Sequence, residues 1–320
     1  MVSKIRVLGG TPLRGEVTVR GAKNLVPKAM VAALLSAEQS KLRNVPLIRD
    51  VDVVSDLLRM HGATVDYDQE AGVLGITPGS INLPEDPVEM DKLAGSSRIP
   101  ILFAGPLLHN LGEAFIPDLG GCHIGSRPVN FHLRVLEDFG ARRIQEAAGM
   151  HLIAEKPLKA KPVHLPYPSV GATEQTLLTA VMAQGITELT NAAVEPEIMD
   201  LIAILQKMGA IISVDTDRTI RIEGVDKLRG YSHTALPDRI EAGSWACAAL
   251  ATGGDVFVRG AEQQSMTSFL NVFRKVGGEF DVQDEGIRFW HPGGELHSMA
   301  LQTDVHPGFM TDWQQPLVVA

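Results

Sequence analysis

Apolar and polar positions along the chain fall into one pattern that recurs. An apolar helical stretch ends in a small or polar turn, and a strand follows. A short polar or acidic segment leads into a second, amphipathic helix, then Gly-Ala or Gly-Gly, then a pair of strands. One copy runs from Ala22 to Asp68, another from Gly171 to Val225, and a third from Arg239 to Trp290. In the second helix of the middle copy, Leu201, Ile202, Leu205 and Met208 recur at helical spacing, which marks one buried stripe. Alternation at Ile211–Ser213 and Ile220–Ile222 predicts strands. The second helices close at Gly62, Gly140, Gly209 and Gly277, spaced 78, 69 and 68 residues apart. Glycine ends a helix readily because it enters the left-handed region at little cost. The pattern predicts an α/β (α+β) chain of repeated units, with helices on one face of small sheets. Residues 299–320 read as the opening of a further unit that stops in mid-helix. Six units of about 69 residues need about 414, so the expectation is a fragment of a longer protein, inactive by itself.

Composition narrows the class. The chain has 320 residues, 45 % apolar and 21 % charged, with a net charge of −9. That suits a folded chain with a real core. An acidic chain without a dense Lys/Arg block argues against nucleic-acid binding, which needs clustered positive charge. No apolar run approaches the roughly 18 residues that span a bilayer, and the first residues lack the apolar region of a signal peptide. Two cysteines, Cys122 and Cys247, are too few and too far apart for a disulfide scaffold. No Cys/His spacing fits a zinc site. A reducing, cytoplasmic location is the expectation.

Candidate chemistry sits at the helix starts: Lys23-Asn24, Ser97-Arg98, Ser126-Arg127-Pro128, Ser169 with Thr173, Asp238-Arg239 and Thr311-Asp312. Read as equivalent first-helix starts, they face one side. A helix N-terminus carries unpaired N–H groups and about half a positive charge. With Lys23, Arg98 and Arg127 added, such ends make an anion site for phosphate or carboxylate. Ser, Asn, Asp and Thr are also ordinary N-caps, so the basic residues carry the argument. The segment Asp118–Leu133 is the most distinctive. Cys122 follows two glycines and precedes His123, Ile124 and Gly125, a loop setting in which a thiol near positive charge is a nucleophile or proton donor. Cys247 lies in an apolar helix and reads as a small core residue. Glu195 and Glu197 read as helix-start acids. Nucleotide-loop and hydrolase motifs are absent.

At GAKN (21–24), GGCHIGSRPVNFH (120–132), PSVGATE (168–174), NAAVEPEIMD (191–200), LPDRIEAG (236–243) and HPGFMTD (306–312), the chain resembles the enolpyruvyl transferases. The cysteine loop resembles the branch acting on UDP-N-acetylglucosamine. The sister branch, enolpyruvylshikimate phosphate synthase, shares the repeats without that loop. The resemblance implies two inside-out α/β barrel domains of repeated units. The first spans residues 21–236. The second is discontinuous, residues 1–20 plus 237–320, incomplete in this chain, and the ligand cleft lies between the two. It implies addition–elimination that transfers the enolpyruvyl group of phosphoenolpyruvate to a sugar 3-hydroxyl, with no metal, organic cofactor or obligate protein partner.

The same resemblance implies roles. Lys23, Arg98 and Arg127 hold the phosphoenolpyruvate anion. Cys122 protonates its methylene carbon, can form a phospholactoyl adduct, and is the thiol that fosfomycin alkylates in this family. Asp312 takes the hydroxyl proton. Asn24, Pro128, Val129, Asn130, His132, Ser169, Val170 and Gly171 hold the uridine nucleotide and sugar. Asn130 stands where many members carry Asp, and Tyr167 where many carry Lys. Both bear on nucleotide affinity. The alternatives are a non-catalytic UDP-sugar-binding paralogue, the shikimate-branch enzyme, and a repeat protein without a ligand.

Overall fold

The computed structural model describes residues 6–84, 97–119, 128–146 and 149–320. The chain divides into two compact units. A contiguous unit spans Gly21–Leu236; a split unit joins Met1–Arg20 to Pro237–Ala320.

Three sheets belong to the contiguous unit. In the first, β2 (Ser40–Arg43) pairs antiparallel with β4 (Val73–Thr77), and β4 with β3 (Thr64–Asp68). Its fourth strand, β12 (Ser232–Thr234), arrives from the far end of the unit and lies parallel to β2. The second sheet orders β5 (Glu113–Pro117), β7 (Gly149–Ile153) and β6 (Arg142–Glu146), all antiparallel, among the described residues. The third orders β8 (Val163–His164), β9 (Ile186–Thr190), β11 (Ile220–Glu223) and β10 (Ile211–Val214), with β8 parallel to β9.

Two kinds of helix accompany these sheets, and sequence explains the difference. The first helix of each repeat is largely buried around its circumference, its few polar residues included. In α1 (Val26–Ala32) every residue is buried, and in α5 (Val170–Ala180) every residue from Ala172 onward is. The 3-10 turn Ile99–Phe103 and α3 (Ala104–Leu111) fill the same place in the second repeat. The second helices α2 (Arg49–Met60), α4 (Asn130–Asp138) and α6 (Pro196–Met208) are amphipathic. In α2, Val51, Val54, Leu57 and Leu58 are buried while Asp52 and Arg59 are exposed. An all-round apolar helix belongs in a core, and a striped one at its edge. The first helices therefore occupy the interior and the second helices its edge.

The split unit repeats the plan once. Strand β1 (Arg14–Thr18) lies parallel to β13 (Asp255–Arg259). Strand β15 (Gly286–Trp290) pairs antiparallel with both β13 and β14 (Glu279–Gln283). Helices α7 (Arg239–Ala251) and α8 (Gln263–Val276) cover one side. A 3-10 turn, Thr311–Trp313, leads into α9 (Gln314–Val319). The core is aromatic: Phe269, Phe273, Phe289, Phe309 and Trp313 are all buried.

All four second helices end in the same hydrogen-bonded cap. Gly62, Gly140, Gly209 and Gly277 have φ of +89°, +97°, +106° and +110°. Their N–H groups bond back to the carbonyls of Arg59, Glu137, Gln206 and Arg274. The following residues, Ala63, Ala141, Ala210 and Gly278, bond to Leu58, Leu136, Leu205 and Phe273. Each cap thereby satisfies two carbonyls that a helix end leaves open. One expectation changes: Pro128 leads into α4, which is a second helix of its repeat, so the basic helix starts are not all equivalent. No described helix is long and apolar enough to cross a membrane.

Candidate active site

Helix starts in the contiguous unit bring one group of polar side chains together. Lys23, in the turn before α1, is exposed, and its Nζ lies 3.3 Å from Asp50 Oδ2 in the first turn of α2. The Asn24 carbonyl accepts a hydrogen bond from Lys28 Nζ at 2.8 Å. Lys28 also pairs with Glu174 Oε1 at 3.6 Å, both side chains buried. Ser169 caps α5 by accepting the Ala172 N–H at 3.4 Å, and its carbonyl accepts the Thr173 hydroxyl at 2.9 Å. Thr173 Oγ1 in turn accepts the Ala193 N–H at 3.0 Å, which ties α5 to the segment leading into α6.

His132, on α4, lies against the first turn of α5. A Cβ on Gly171 would fall 2.6 Å from His132 Nε2, so only glycine leaves room for the ring there. The Nδ1 side faces the Gln175 side-chain amide, 3.4 Å from its Oε1. Burial pushes the imidazole pKa down to about 4, and the positive charges of Arg98 and Lys28 add to that. His132 is therefore neutral near pH 7. Arg98 precedes the 3-10 turn Ile99–Phe103 as its N-cap and is half-buried.

Glu174 goes the other way. Burial pushes its carboxyl up to about 7, with Glu197 and Glu195 adding and Lys28 opposing. Glu195 and Glu197 sit at the start of α6, and Glu197 is buried. These acids therefore act on a buried carboxylate as well as opening a helix.

The structure thus gathers Asn24, Arg98, His132, Ser169 and Gly171 around the starts of α1, α4 and α5. Val129 caps α4, Asn130 opens it exposed, and Val170 opens α5. Tyr167 is 56 % exposed. Pro128 and Val129, with Arg98, Asp118 and Gln145, line a cavity of about 260 Å³. Asp312 stands exposed on the 3-10 turn of the split unit, beside the buried Trp313. Trp313 Nε1 donates to the Arg239 carbonyl at 3.0 Å, and its ring packs against Phe269 and Phe309. Cys122 and Arg127 lie outside the described residues. Cys247 is buried, its thiol pushed up to about 12, and is chemically quiet. Among the described residues no group of His, Cys, Asp and Glu is placed to hold a metal ion. Lys28 and Glu174 were not expected. Their signal was the single charged residue in each of two otherwise uncharged helices.

The family described as EPSP synthase (3-phosphoshikimate 1-carboxyvinyltransferase) matches residues 7–319. The chain belongs to this family. Among curated members, UDP-N-acetylglucosamine 1-carboxyvinyltransferase of Protochlamydia amoebophila is 47 % identical over 98 % of this chain and 68 % of its own length. The protein of that name from Chlamydia pneumoniae is 45 % identical, over 98 % of this chain and 68 % of its own length. UDP-N-acetylglucosamine 1-carboxyvinyltransferase 1 of Staphylococcus aureus is 40 % identical, over 99 % and 75 %. Solved structures share the carboxyvinyltransferase fold. The enolpyruvyl transferase NikO of Streptomyces tendae superposes with a TM-score of 0.85 at 21 % identity, covering 97 % of this chain and 72 % of that one. EPSP synthase of Acinetobacter baumannii gives 0.71 at 18 %, covering 98 % and 70 %.

Proposed function

We propose that the protein transfers the enolpyruvyl group of phosphoenolpyruvate to the 3-hydroxyl of UDP-N-acetylglucosamine, releasing phosphate, as the committing step of peptidoglycan synthesis. The observation that carries this reading is the identity of 40 to 47 %, over nearly the whole chain, with relatives named for that transfer. The helix starts of the contiguous unit support it. They place the positive charges of Lys23 and Arg98 before α1 and before the 3-10 turn Ile99–Phe103, as an anionic substrate requires.

In this reading Lys23, Arg98 and Arg127 hold the phosphate and carboxylate of phosphoenolpyruvate. Asp312 takes the proton of the sugar hydroxyl as its oxygen bonds to C2. The Cys122 thiol gives a proton to C3, so the double bond becomes a methyl-bearing tetrahedral carbon. In the second half C3 returns a proton and the C2–O bond to phosphate breaks, which restores the double bond as a vinyl ether. A thiol suits the proton-donor role because its pKa lies near neutrality. Neutral His132, with Asn24, Pro128, Val129, Asn130, Ser169, Val170 and Gly171, holds the nucleotide and sugar. Cys122 works only as a free thiol, which a reducing compartment such as the cytoplasm preserves.

The test is phosphate release from phosphoenolpyruvate, with UDP-N-acetylglucosamine present or absent and with or without fosfomycin. Release that needs the UDP-sugar and stops with fosfomycin is the expected result for a chain of the relatives' full length, of which this one covers 68 to 75 %. Release driven by shikimate 3-phosphate instead would assign the sister reaction. UDP-sugar binding without release would mark a non-catalytic binder.

A further inference from the structure

The buried Lys28–Glu174 pair has no part in the chemistry above. A buried ion pair is a poor source of stability, because desolvation cancels most of its attraction. Its neighbours Val26, Pro27, Ala29 and Met30 are buried too, so an apolar residue at 28 would serve the core equally well. What the pair does is geometric. Lys28 Nζ holds the Asn24 carbonyl at 2.8 Å and reaches Glu174 at 3.6 Å. Glu174 lies one turn into α5, past Ser169–Gly171, and the next residue, Gln175, faces His132. One ammonium group therefore ties the turn before α1 to the first turn of α5.

We propose that the Lys28–Glu174 pair is a positioning device for the nucleotide sugar, fixing the Asn24 turn against the Ser169–Gly171 turn and tuning affinity through the charge on Glu174. This rests on UDP-N-acetylglucosamine being the ligand. The charged groups around the carboxyl are Lys28 on α1, Glu195 and Glu197 at the start of α6, and, across Gln175, His132 with the field of Arg98. Among them Glu174 is the group raised to about 7. His132 stays neutral above about pH 5, since its pKa is near 4. The diphosphate of a UDP-sugar is diesterified and does not titrate in this range. Below about pH 7 Glu174 takes up a proton, Lys28 loses its counter-charge, and the tie slackens.

The experiment is calorimetric titration of UDP-N-acetylglucosamine into the protein at pH 6, 7 and 8. The wild-type affinity is expected to be about five- to tenfold tighter at pH 8 than at pH 6, a coupling of ordinary size. Glu174→Gln is expected to bind at the weaker level throughout. A K28M/E174M double variant, which keeps bulk without charge, is expected to give the same flat profile even if the single variant folds poorly. In a turnover assay the variants should raise KM more than they lower kcat. Equal wild-type affinity at pH 6 and 8, or a Glu174→Gln profile like the wild type, would overturn the positioning role alone. No binding by the wild type at any pH would instead overturn the substrate reading on which it stands.

Discussion

Gly171 gives His132 its place by having no side chain. Gly171→Ala puts a methyl group 2.6 Å from the imidazole, so the ring must leave the first turn of α5. We expect KM for UDP-N-acetylglucosamine to rise about tenfold, the kinetic equivalent of about 1.4 kcal/mol, with kcat changing less. Steady-state kinetics at saturating phosphoenolpyruvate decides it. Cys122→Ser should lose fosfomycin labelling and most turnover while UDP-sugar binding survives; full activity with serine would remove the thiol from the mechanism. His132 and Glu174 also make opposite contributions to stability against pH. The His132 pKa is lowered to about 4, so its contribution is present above about 6.5 and is lost as pH falls toward 4. The Glu174 pKa is raised to about 7, so the folded state gains stability as pH falls from 7 toward 4.5. Relative to wild type, His132→Asn should therefore gain stability on acidification from pH 7 to 5, and Glu174→Gln should lose it. Urea midpoints at the two pH values check both signs. Lys23 and Arg98 were legible as candidates from residue type and order, and His132 only through the family resemblance. Lys28 and Glu174 were not, because a single charge in an uncharged run looks like a solvated exception. Only packing shows that the two exceptions meet.

Among the elements, the four glycine caps share one conformation but not one environment. A Cβ at Gly140 or Gly209 meets nothing within 4 Å, whereas at Gly62 it would lie 2.3 Å from the Ser80 carbonyl oxygen. Alanine at 140 or 209 should cost about 1 kcal/mol, the penalty of left-handed backbone alone. Gly62→Ala should cost clearly more, since backbone must also shift. Comparing the three by urea unfolding separates strain from collision, and equal losses would show that Ser80 moves freely. These caps were legible because Gly-Ala after an apolar stripe is a local signal. The rank of α4 within its repeat was legible from its Gly140 cap but not from its start. Ser, Asn, Asp and Thr precede both kinds of helix, so a polar start does not reveal whether an interior or an edge helix follows. Burial around the whole circumference, as in α5, makes that distinction.

At the scale of the molecule, the two units have separate cores. Trp245, Trp290 and Trp313 all belong to the split unit, so tryptophan fluorescence reports on it alone. Leu57→Ala empties a fully buried site in the contiguous unit and should cost about 2–5 kcal/mol there. We expect it to move the circular-dichroism transition while leaving the fluorescence transition in place; a joint shift would show that the units unfold together. The alternation along each strand was legible, but its distant partner was not. Leu13 N–H reaches Thr252 Oγ1 239 positions away, and local periodicity carries no trace of such a pairing. That separation has a consequence during synthesis. The ribosome delivers β1 first and β13 only after the whole contiguous unit has emerged, so β1 waits as an unpaired edge for most of translation. At about 5–20 residues per second, that wait is on the order of tens of seconds. A nascent chain of this design therefore completes its split unit late, long after the strand that opens it has left the ribosome.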